Sequence, residues 1–256
     1  MFVLSYLYVV DGPEHAGFGV LDTGDASSGH DHIKVDLKYI FHMVFSNPVL
    51  LTIAGAEFCT GFVRHGIDQW FPSFMREVHH IQFDSKKFYL TAVGMPIAAI
   101  TGGLIGGTAS DRIFGSRRTP VVCIAYLGQA VFLIALRYLG SVSVNMAVFI
   151  FIGISFFISA SHSLLSGVAS MDFGGKKAAA SAAGLFDGMQ YIAGSVIGWG
   201  LGKFLDTYGW DSWAYSLFGF SLVGAALMAK LWNATPEQAR QRYDAKHGGA
   251  AAQAKK

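Results

Sequence analysis

The chain has 256 residues, of which 52% are hydrophobic and 14% carry a charge, with a formal net charge of +2. Soluble domains carry about 25% charged residues, so this composition excludes an ordinary soluble domain, and the small net charge argues against nucleic acid as a partner. The 31 glycines and 21 phenylalanines fit an all-α membrane protein, in which glycine lets helices approach closely.

The first 47 residues divide into an apolar segment and a polar one. Residues 1–10 cover only about half a membrane span, and we interpret them as the end of a truncated transmembrane helix. Residues 11–47 are polar and rich in glycine, which predicts a linker. His30 and His32 within it are open to a metal-binding interpretation, but a solvated loop explains them better, and no metal site is predicted.

Six apolar runs of spanning length follow, and they predict a six-helix transmembrane bundle over residues 48–233. Lysines and arginines concentrate in the linker, in alternate short loops and in the tail, residues 234–256. By the positive-inside rule these segments are cytoplasmic, in a multi-pass protein of the plasma (inner) membrane. The six runs are Pro48–Phe74, Phe88–Ala109, Pro120–Leu139, Val144–Ala169, Ala178–Leu205 and Ser212–Trp232.

The sequence contains no motif typical of an enzyme. It has no nucleotide-binding loop, no Gly-x-Ser-x-Gly and no His-Glu-x-x-His. The two cysteines, Cys59 and Cys123, lie in apolar runs without a partner at metal spacing, so we interpret them as small core side chains. We therefore predict neither catalysis nor a cofactor.

Arg64 is the most informative single residue because it lies deep within the first span. A charge at that depth costs about 2.5–3.5 kcal/mol, so it must face protein, water or a ligand. Its planar fork of donors suits a phosphate or carboxylate. The alternative is an internal ion pair with Glu57 or Asp187, and both interpretations hold if Arg64 exchanges an internal partner for a ligand.

Other polar residues lie inside the fourth and fifth spans. His162 is either a phosphate or proton ligand or a hydrogen-bonded core histidine. Asp187 and Gln190 lie on one side of the fifth span with Tyr191 nearby, which indicates a pathway or a gate. The predicted substrate-binding residues are Arg64, His162 and Tyr191, and the predicted gating or ion-pairing residues are Glu57, Asp187 and Gln190.

Glycines recur at helix-packing intervals in two of the spans. This spacing fits either tight static packing or a face along which helices slide. The residues are Gly102, Gly103, Gly106 and Gly107 in the second span and Gly184, Gly188, Gly194, Gly198 and Gly202 in the fifth.

The loop between the second and third spans resembles the cytoplasmic loop motif of the major facilitator superfamily, Gly-x-x-x-Asp-Arg followed by Gly and paired Arg. Asp111, predicted just past a helix end, can pair with the basic groups and latch two helices together. Without the resemblance, the segment is a positively charged cytoplasmic loop. The motif residues are Gly107, Asp111, Arg112, Arg117 and Arg118.

Further segments resemble a narrower group, the organophosphate:phosphate antiporter family, which includes glycerol-3-phosphate and hexose-phosphate transporters. Arg64–Pro72 reads Arg-x-Gly-x-x-x-Trp-x-Pro, and Lys176–Gly184 reads Lys-Lys-Ala-Ala-Ala-x-Ala-Ala-Gly. Asp11–Gly17 is similar to the start of that family's central loop, and Tyr208–Asp211 to its last external loop. The resemblance covers nearly all of the chain but only the C-terminal half of the family's fold.

The resemblance implies six of the twelve helices of a secondary transporter that works by alternating access. It implies that Arg64 is the arginine of the family's seventh helix, which clamps phosphate together with an arginine of the first helix. The implied partners are a small organophosphate, inorganic phosphate, the bilayer, and the missing N-terminal half or a second protomer. His162, Asp187 and Gln190 depart from the family's pattern, so a substrate other than glycerol 3-phosphate is plausible.

Two alternatives to transport stay open. The same family contains a hexose-phosphate sensor that signals instead of transporting, and its motifs barely differ. The chain could also be a fragment that does not transport by itself.

Overall fold

The computed structural model describes Gly17 and residues 44–234, without the side chains of residues 173–178. The predicted helix end at residues 1–10, almost all of the linker and nearly the whole tail lie outside the described residues. In the described part all regular structure is helical, which confirms the all-α prediction. The elements are α1 (Pro48–Glu77), α2 (Lys86–Arg112), α3 (Arg118–Leu139), α4 (Val144–His162), a π-helical turn (Ser163–Ala169) and α5 (Ser170–Lys230).

Local capping signals fix where the first two helices begin. The side-chain oxygen of Asn47 accepts a hydrogen bond from the backbone N–H of Val49 at 2.9 Å, and Pro48 occupies the first turn. Ser85 caps α2 in the same way through the N–H of Phe88, at 3.2 Å. These caps explain why the predicted starts at residues 48 and 88 lie within two residues of the observed ones.

The last helix, α5, turns back on itself at Gly209. This glycine has a φ of +73°, a conformation that costs other residues about 1–2 kcal/mol. A Cβ added to Gly66 on α1 would meet both Ile197 and Leu217, which lie on opposite sides of the turn. Both arms of α5 therefore pack on α1, and they correspond to the fifth and sixth predicted spans. We call residues 170–208 the first arm and residues 210–230 the second arm.

The chain also reverses direction between α4 and the first arm. Ser166 Oγ donates to Asp187 Oδ1 at 2.6 Å, and Gln190 Nε2 lies 2.5 Å from His162 Nδ1, so the two segments run antiparallel. Residues 172–177, one of the basic connections predicted between spans, lie at this reversal, but their backbone is helical. The alanine-rich sequence that follows favours continued helical hydrogen bonding.

Four helical segments of the described chain are long and apolar enough to cross a membrane, and the last of them contains most of the first arm and the whole second arm of α5. The first predicted span, α1, is not among them because Glu57, Arg64 and His65 lower its mean hydropathy. At 1.5 Å per residue α1 is about 45 Å long, and both arms pack along it. The four segments are Lys86–Arg112, Arg118–Leu139, Val144–Asp172 and Ala179–Lys230.

Two buried aromatic side chains fasten α1 to its neighbours. Trp213 on the second arm is fully buried, and its indole N–H donates to the carbonyl of Gly66 at 3.1 Å. Tyr126 on α3 is also fully buried, and its hydroxyl donates to the carbonyl of Ala56 at 2.6 Å. The backbone of α1 is therefore held on either side of the stretch that carries Arg64.

The glycines differ in what they face. A Cβ on Gly102 would collide with the backbone of Phe156, and one on Gly194 would lie 2.6 Å from the His65 ring, so these glycines serve close packing. Among the described residues, by contrast, no atom lies within 4 Å of a Cβ added to Gly184 or Gly188. Tight static packing therefore explains part of the glycine pattern, while these two glycines meet no described neighbour.

Candidate functional site

Arg64 lies near the middle of α1, roughly 24 Å from its first residue. Its side chain is 41% exposed, its Nη1 donates to Gln190 Oε1 at 3.4 Å, and its Nε lies 3.8 Å from Asp68 Oδ2. The expected ion pair with Glu57 or Asp187 is not the one observed. Arg64 faces the open side of α1, one turn from Asp68, whereas Glu57 is fully buried among the helices.

Gln190 joins the polar side chains of three helices. It is 3% exposed, and its Nε2 donates to Glu57 Oε2 on α1 while lying 2.5 Å from His162 Nδ1 on α4. Its Oε1 accepts from Arg64. The first arm can approach this closely because α1 has Gly61 here, where a Cβ would lie 2.5 Å from the Cα of Gln190. We call Glu57, Arg64, His162 and Gln190 the Gln190 cluster.

Glu57 and His162 form the buried end of the Gln190 cluster. Glu57 Oε1 lies 3.6 Å from His162 Nδ1 and has no hydrogen-bond partner among the described residues. The side chain of Glu57 is fully buried, while that of His162 is 28% exposed. A carboxyl group in the interior thus adjoins an imidazole that is partly exposed.

Asp187 and Tyr191 lie outside the Gln190 cluster. Asp187 is exposed and accepts a hydrogen bond from Ser166 on the π-helical turn, a type of turn that is frequent at functional sites. Tyr191 is 69% exposed, and its ring centroid lies 5.8 Å from that of His65. Of the three predicted substrate-binding residues, the structure joins Arg64 and His162 through Gln190 and leaves Tyr191 apart.

Two polar residues of this region were not predicted from the sequence. Asp68 lies four residues after Arg64, a spacing that places both on one helix face, so this signal was available. Ser166 binds Asp187 across the reversal of the chain, and only the fold shows that contact.

The open side of the bundle carries charged groups at mid-span. Arg64 and Asp68 are 41% and 48% exposed, and Asp187 is also exposed. Charged side chains at this depth are too costly to face lipid. This face, formed by α1 and the first arm, must therefore meet water or further protein. We call it the open face.

The loop motif forms a charge bridge centred on Arg118. Arg118 Nη1 donates to Asp111 and, at 3.0 Å, to Ser110 Oγ, while Arg118 Nε donates to Asp172 Oδ2 at 3.2 Å. Asp111 lies in the last turn of α2 and not past its end, because the helix continues to Arg112. The bridge thus connects the end of α2, the start of α3 and the start of α5.

The other motif residues surround this bridge. Arg117 Nε donates to the carbonyl of Phe114 at 3.2 Å, and Arg112 lies in the last turn of α2. No atom of the described residues lies within 4 Å of a Cβ added to Gly107, so packing within this part of the chain does not require a glycine there. Gly115 and Ser116 turn the loop with φ values of +57° and +63°.

Comparison with known proteins agrees with these features. The family model for the Major Facilitator Superfamily matches residues 1–198. The chain is 31% identical to a glycerol-3-phosphate transporter of Bacillus subtilis over 200 residues, which are 77% of the chain and 44% of the relative. It is 26% identical to a probable hexose phosphate transport protein of Chlamydia pneumoniae over 223 residues, 85% of the chain and 48% of the relative.

A third relative has a different stated role. The chain is 28% identical over 198 residues to the membrane sensor protein UhpC of Escherichia coli, covering 77% of the chain and 44% of the relative. The chain spans about half the length of the curated relatives it matches. Its helical fold, its loop motif and the match of the family model over most of its length lead to one conclusion: the chain belongs to the major facilitator superfamily.

Proposed function

We propose that the chain forms half of a secondary transporter that exchanges an organophosphate, such as a sugar phosphate or glycerol 3-phosphate, for inorganic phosphate. The position of Arg64 carries this proposal. It presents a half-exposed guanidinium at mid-span on the open face, where its fork of donors suits a phosphoryl group. The names of the relatives support the substrate class.

Arg64 would bind the phosphoryl group, and its present partners would occupy it in the empty site. The contacts to Gln190 and Asp68, at 3.4 Å and 3.8 Å, are long enough for a ligand oxygen to replace them. His162 would contribute from α4, and exposed Tyr191 would contact the rest of the substrate from the open face. Asp187 would act at the edge of the site as a gating group.

A second helical half would complete the site, supplied either by the same polypeptide or by another protomer. The reason is the open face, whose mid-span charges need a polar or proteinaceous environment. Alternating access would then consist of rocking the two halves about the substrate, driven by anion gradients. The chain would lie in the plasma membrane with its basic loops, linker and tail in the cytoplasm.

A membrane sensor for a sugar phosphate is the second candidate, favoured by the similarity to UhpC. Such a protein would use the same arginine to bind its ligand but would signal without flux. The Gln190 cluster serves either role, because each needs a phosphate-binding site inside the membrane.

Reconstitution separates these functions. The native protein containing this chain is placed in liposomes loaded with inorganic phosphate, and uptake of labelled glycerol 3-phosphate and glucose 6-phosphate is measured against empty liposomes. A transporter gives uptake that depends on internal phosphate. A sensor binds the labelled compound without uptake, and the absence of both binding and uptake would refute the proposed function.

A further inference from the structure

Glu57 is a buried acid whose hydrogen bonding is incomplete. Its side chain is fully buried, Oε2 accepts from Gln190, and Oε1 has no partner in the described part of the chain. An isolated negative charge in a protein interior is strongly unfavourable, whereas a neutral or ion-paired carboxyl is tolerated. The free oxygen therefore marks a position where a bound proton would be stabilising.

His162 provides the second half of such a position. Its Nδ1 lies 3.6 Å from the free Oε1 of Glu57, and its side chain is 28% exposed. We propose that Glu57 and His162 share one proton, forming a proton-binding site that is linked through Gln190 to the anion site at Arg64. Substrate and proton would then cross the membrane together, a consequence that rests on the proposed transport function.

The proton changes the charge of the pair from −1 to zero. Without it the pair consists of a carboxylate and a neutral imidazole. With it, the pair is either a carboxylic acid beside a neutral imidazole or a carboxylate beside an imidazolium. The proton comes from water, and the partly exposed imidazole of His162 is the group of the pair that water reaches.

The other titratable groups around Glu57 are exposed or engaged with other partners, so we assign the proton to the Glu57–His162 pair. On the first arm, Asp187 interacts with Glu57 electrostatically but is exposed and bonded to Ser166. On α3, the hydroxyl of Tyr126 is engaged with Thr60 and Ala56 on α1.

On α1 itself, two further ionisable residues lie within two helical turns of Glu57. Cys59 is a buried free thiol. Arg64 keeps its charge at any relevant pH and contacts Gln190 between itself and Glu57.

Gln190 makes the proton site sensitive to the anion site. One amide group accepts from Arg64 through Oε1 and contacts both Glu57 and His162 through Nε2. When an anion takes the donors of Arg64, Gln190 Oε1 loses its partner and the amide is free to reorient. His162 Nδ1 is then released to bind the proton shared with Glu57.

The sign of the coupling follows from charge. An anion at Arg64 neutralises the nearest positive charge, which favours a proton on the neighbouring pair. Because linkage is reciprocal, protonation then favours anion binding by the same factor, typically about 5- to 150-fold between coupled sites. Because the proton and the anion bind cooperatively, we expect both to cross the membrane in the same direction.

Infrared spectroscopy tests proton binding without any transport. The native protein in nanodiscs is titrated with acid, and the C=O stretching band of protonated carboxyl groups is followed in difference spectra. We expect a titrating band that is lost in Glu57→Gln and shifted along the pH axis in His162→Asn, which keeps an acceptor near Nδ1. Glu77→Gln, on the exposed end of α1, is the matched control and should leave the band unchanged.

Transport tests the coupling. Uptake of labelled inorganic phosphate into liposomes is compared with and without an inwardly directed proton gradient, each variant at the same pH so that titration of phosphate itself cancels. We expect the gradient to accelerate uptake by the native protein and by Glu77→Gln, and to have no effect on Glu57→Gln. If Glu57→Gln fails to transport, binding of labelled phosphate is measured instead. Its affinity should depend less on pH than that of the native protein, because only the titration of phosphate itself remains.

The two tests separate failure of this inference from failure of the proposed function. A Glu57-dependent band with no phosphate uptake by the native protein leaves the proton site standing and overturns transport. Phosphate uptake with a band that persists in Glu57→Gln, or with equal gradient sensitivity in native and Glu57→Gln, overturns the proton site and leaves transport standing.

Discussion

Replacing Arg64 with lysine is the most direct test of the anion site. Lysine keeps the positive charge but replaces a planar fork of five donors with a single ammonium group. In the structure the Nη1 of Arg64 donates to Gln190 Oε1 at 3.4 Å, and a different nitrogen, Nε, lies 3.8 Å from Asp68 Oδ2. An ammonium cannot keep both partners and also grip a phosphoryl group in a bidentate manner.

The expected loss follows from the hydrogen bonds removed. A charge-assisted hydrogen bond contributes about 1.5–3 kcal/mol, and 1.4 kcal/mol corresponds to a tenfold change in affinity. Arg64→Lys should therefore weaken phosphate binding by about 10- to 150-fold and raise the half-saturation concentration for exchange by a similar factor. Because the Arg64 side chain is 41% exposed, membrane insertion and thermal stability should stay close to native.

Exchange of labelled phosphate in liposomes, with the half-saturation concentration measured for each variant, provides the assay. Arg76→Lys is the matched control, since Arg76 is an arginine on the same helix that is 56% exposed near its end. Unchanged half-saturation in Arg64→Lys would remove Arg64 from the site. An equal loss in Arg76→Lys would mean that losing a guanidinium anywhere on α1, and not at this position in particular, weakens binding.

Three further predictions concern the scaffold, and thermal unfolding in detergent is the first measurement for each. Gly61→Ala forces a methyl group against the backbone of the first arm and should lower the free energy of unfolding by about 1–3 kcal/mol. Gly55→Ala is the control, because its new methyl group meets only a side-chain methyl at 3.5 Å and should be tolerated. Equal effects of the two substitutions would contradict the close approach at Gly61. Gly209→Ala should lower stability by about 1–2 kcal/mol through its positive φ without changing phosphate affinity, and an unchanged melting temperature would argue against that turn. Arg118→Gln and Asp172→Asn should show a coupling energy of about 0.5–3 kcal/mol in a double-mutant cycle, and strict additivity would exclude a working bridge between them.

Much of the fold could be predicted because its signals are local. The lengths of the apolar runs predict the spans, and capping by Asn47 and Ser85 explains where the first two helices begin. The turn at Gly209 lies between the fifth and sixth predicted runs, as expected. Hydropathy identifies α1 as a span less clearly, because its site residues make it less apolar than the other predicted spans.

The site could be predicted only in part. The cost of a charge at mid-span identifies Arg64 from sequence alone, and helical spacing could have identified Asp68. The partnership of Gln190 with Glu57 and His162 depends on how three helices are rotated about their own axes, which no local pattern encodes. For that reason the sequence could not decide the alternative in which Arg64 pairs with Glu57 or Asp187, and the structure shows Asp68 beside Arg64 instead. The roles of the site residues stay predictions.

The placement of α1 between the two arms of α5 has a mechanical consequence. One long helical element wraps the helix that carries Arg64, with Gly61 and Gly66 each allowing a close contact. Sliding α1 alone would break contacts with both arms at once, so the three segments should move as a single rigid body. The distances within the Gln190 cluster would then be nearly the same whichever side of the membrane the site faces, and access would change by opening gaps around an intact binding unit.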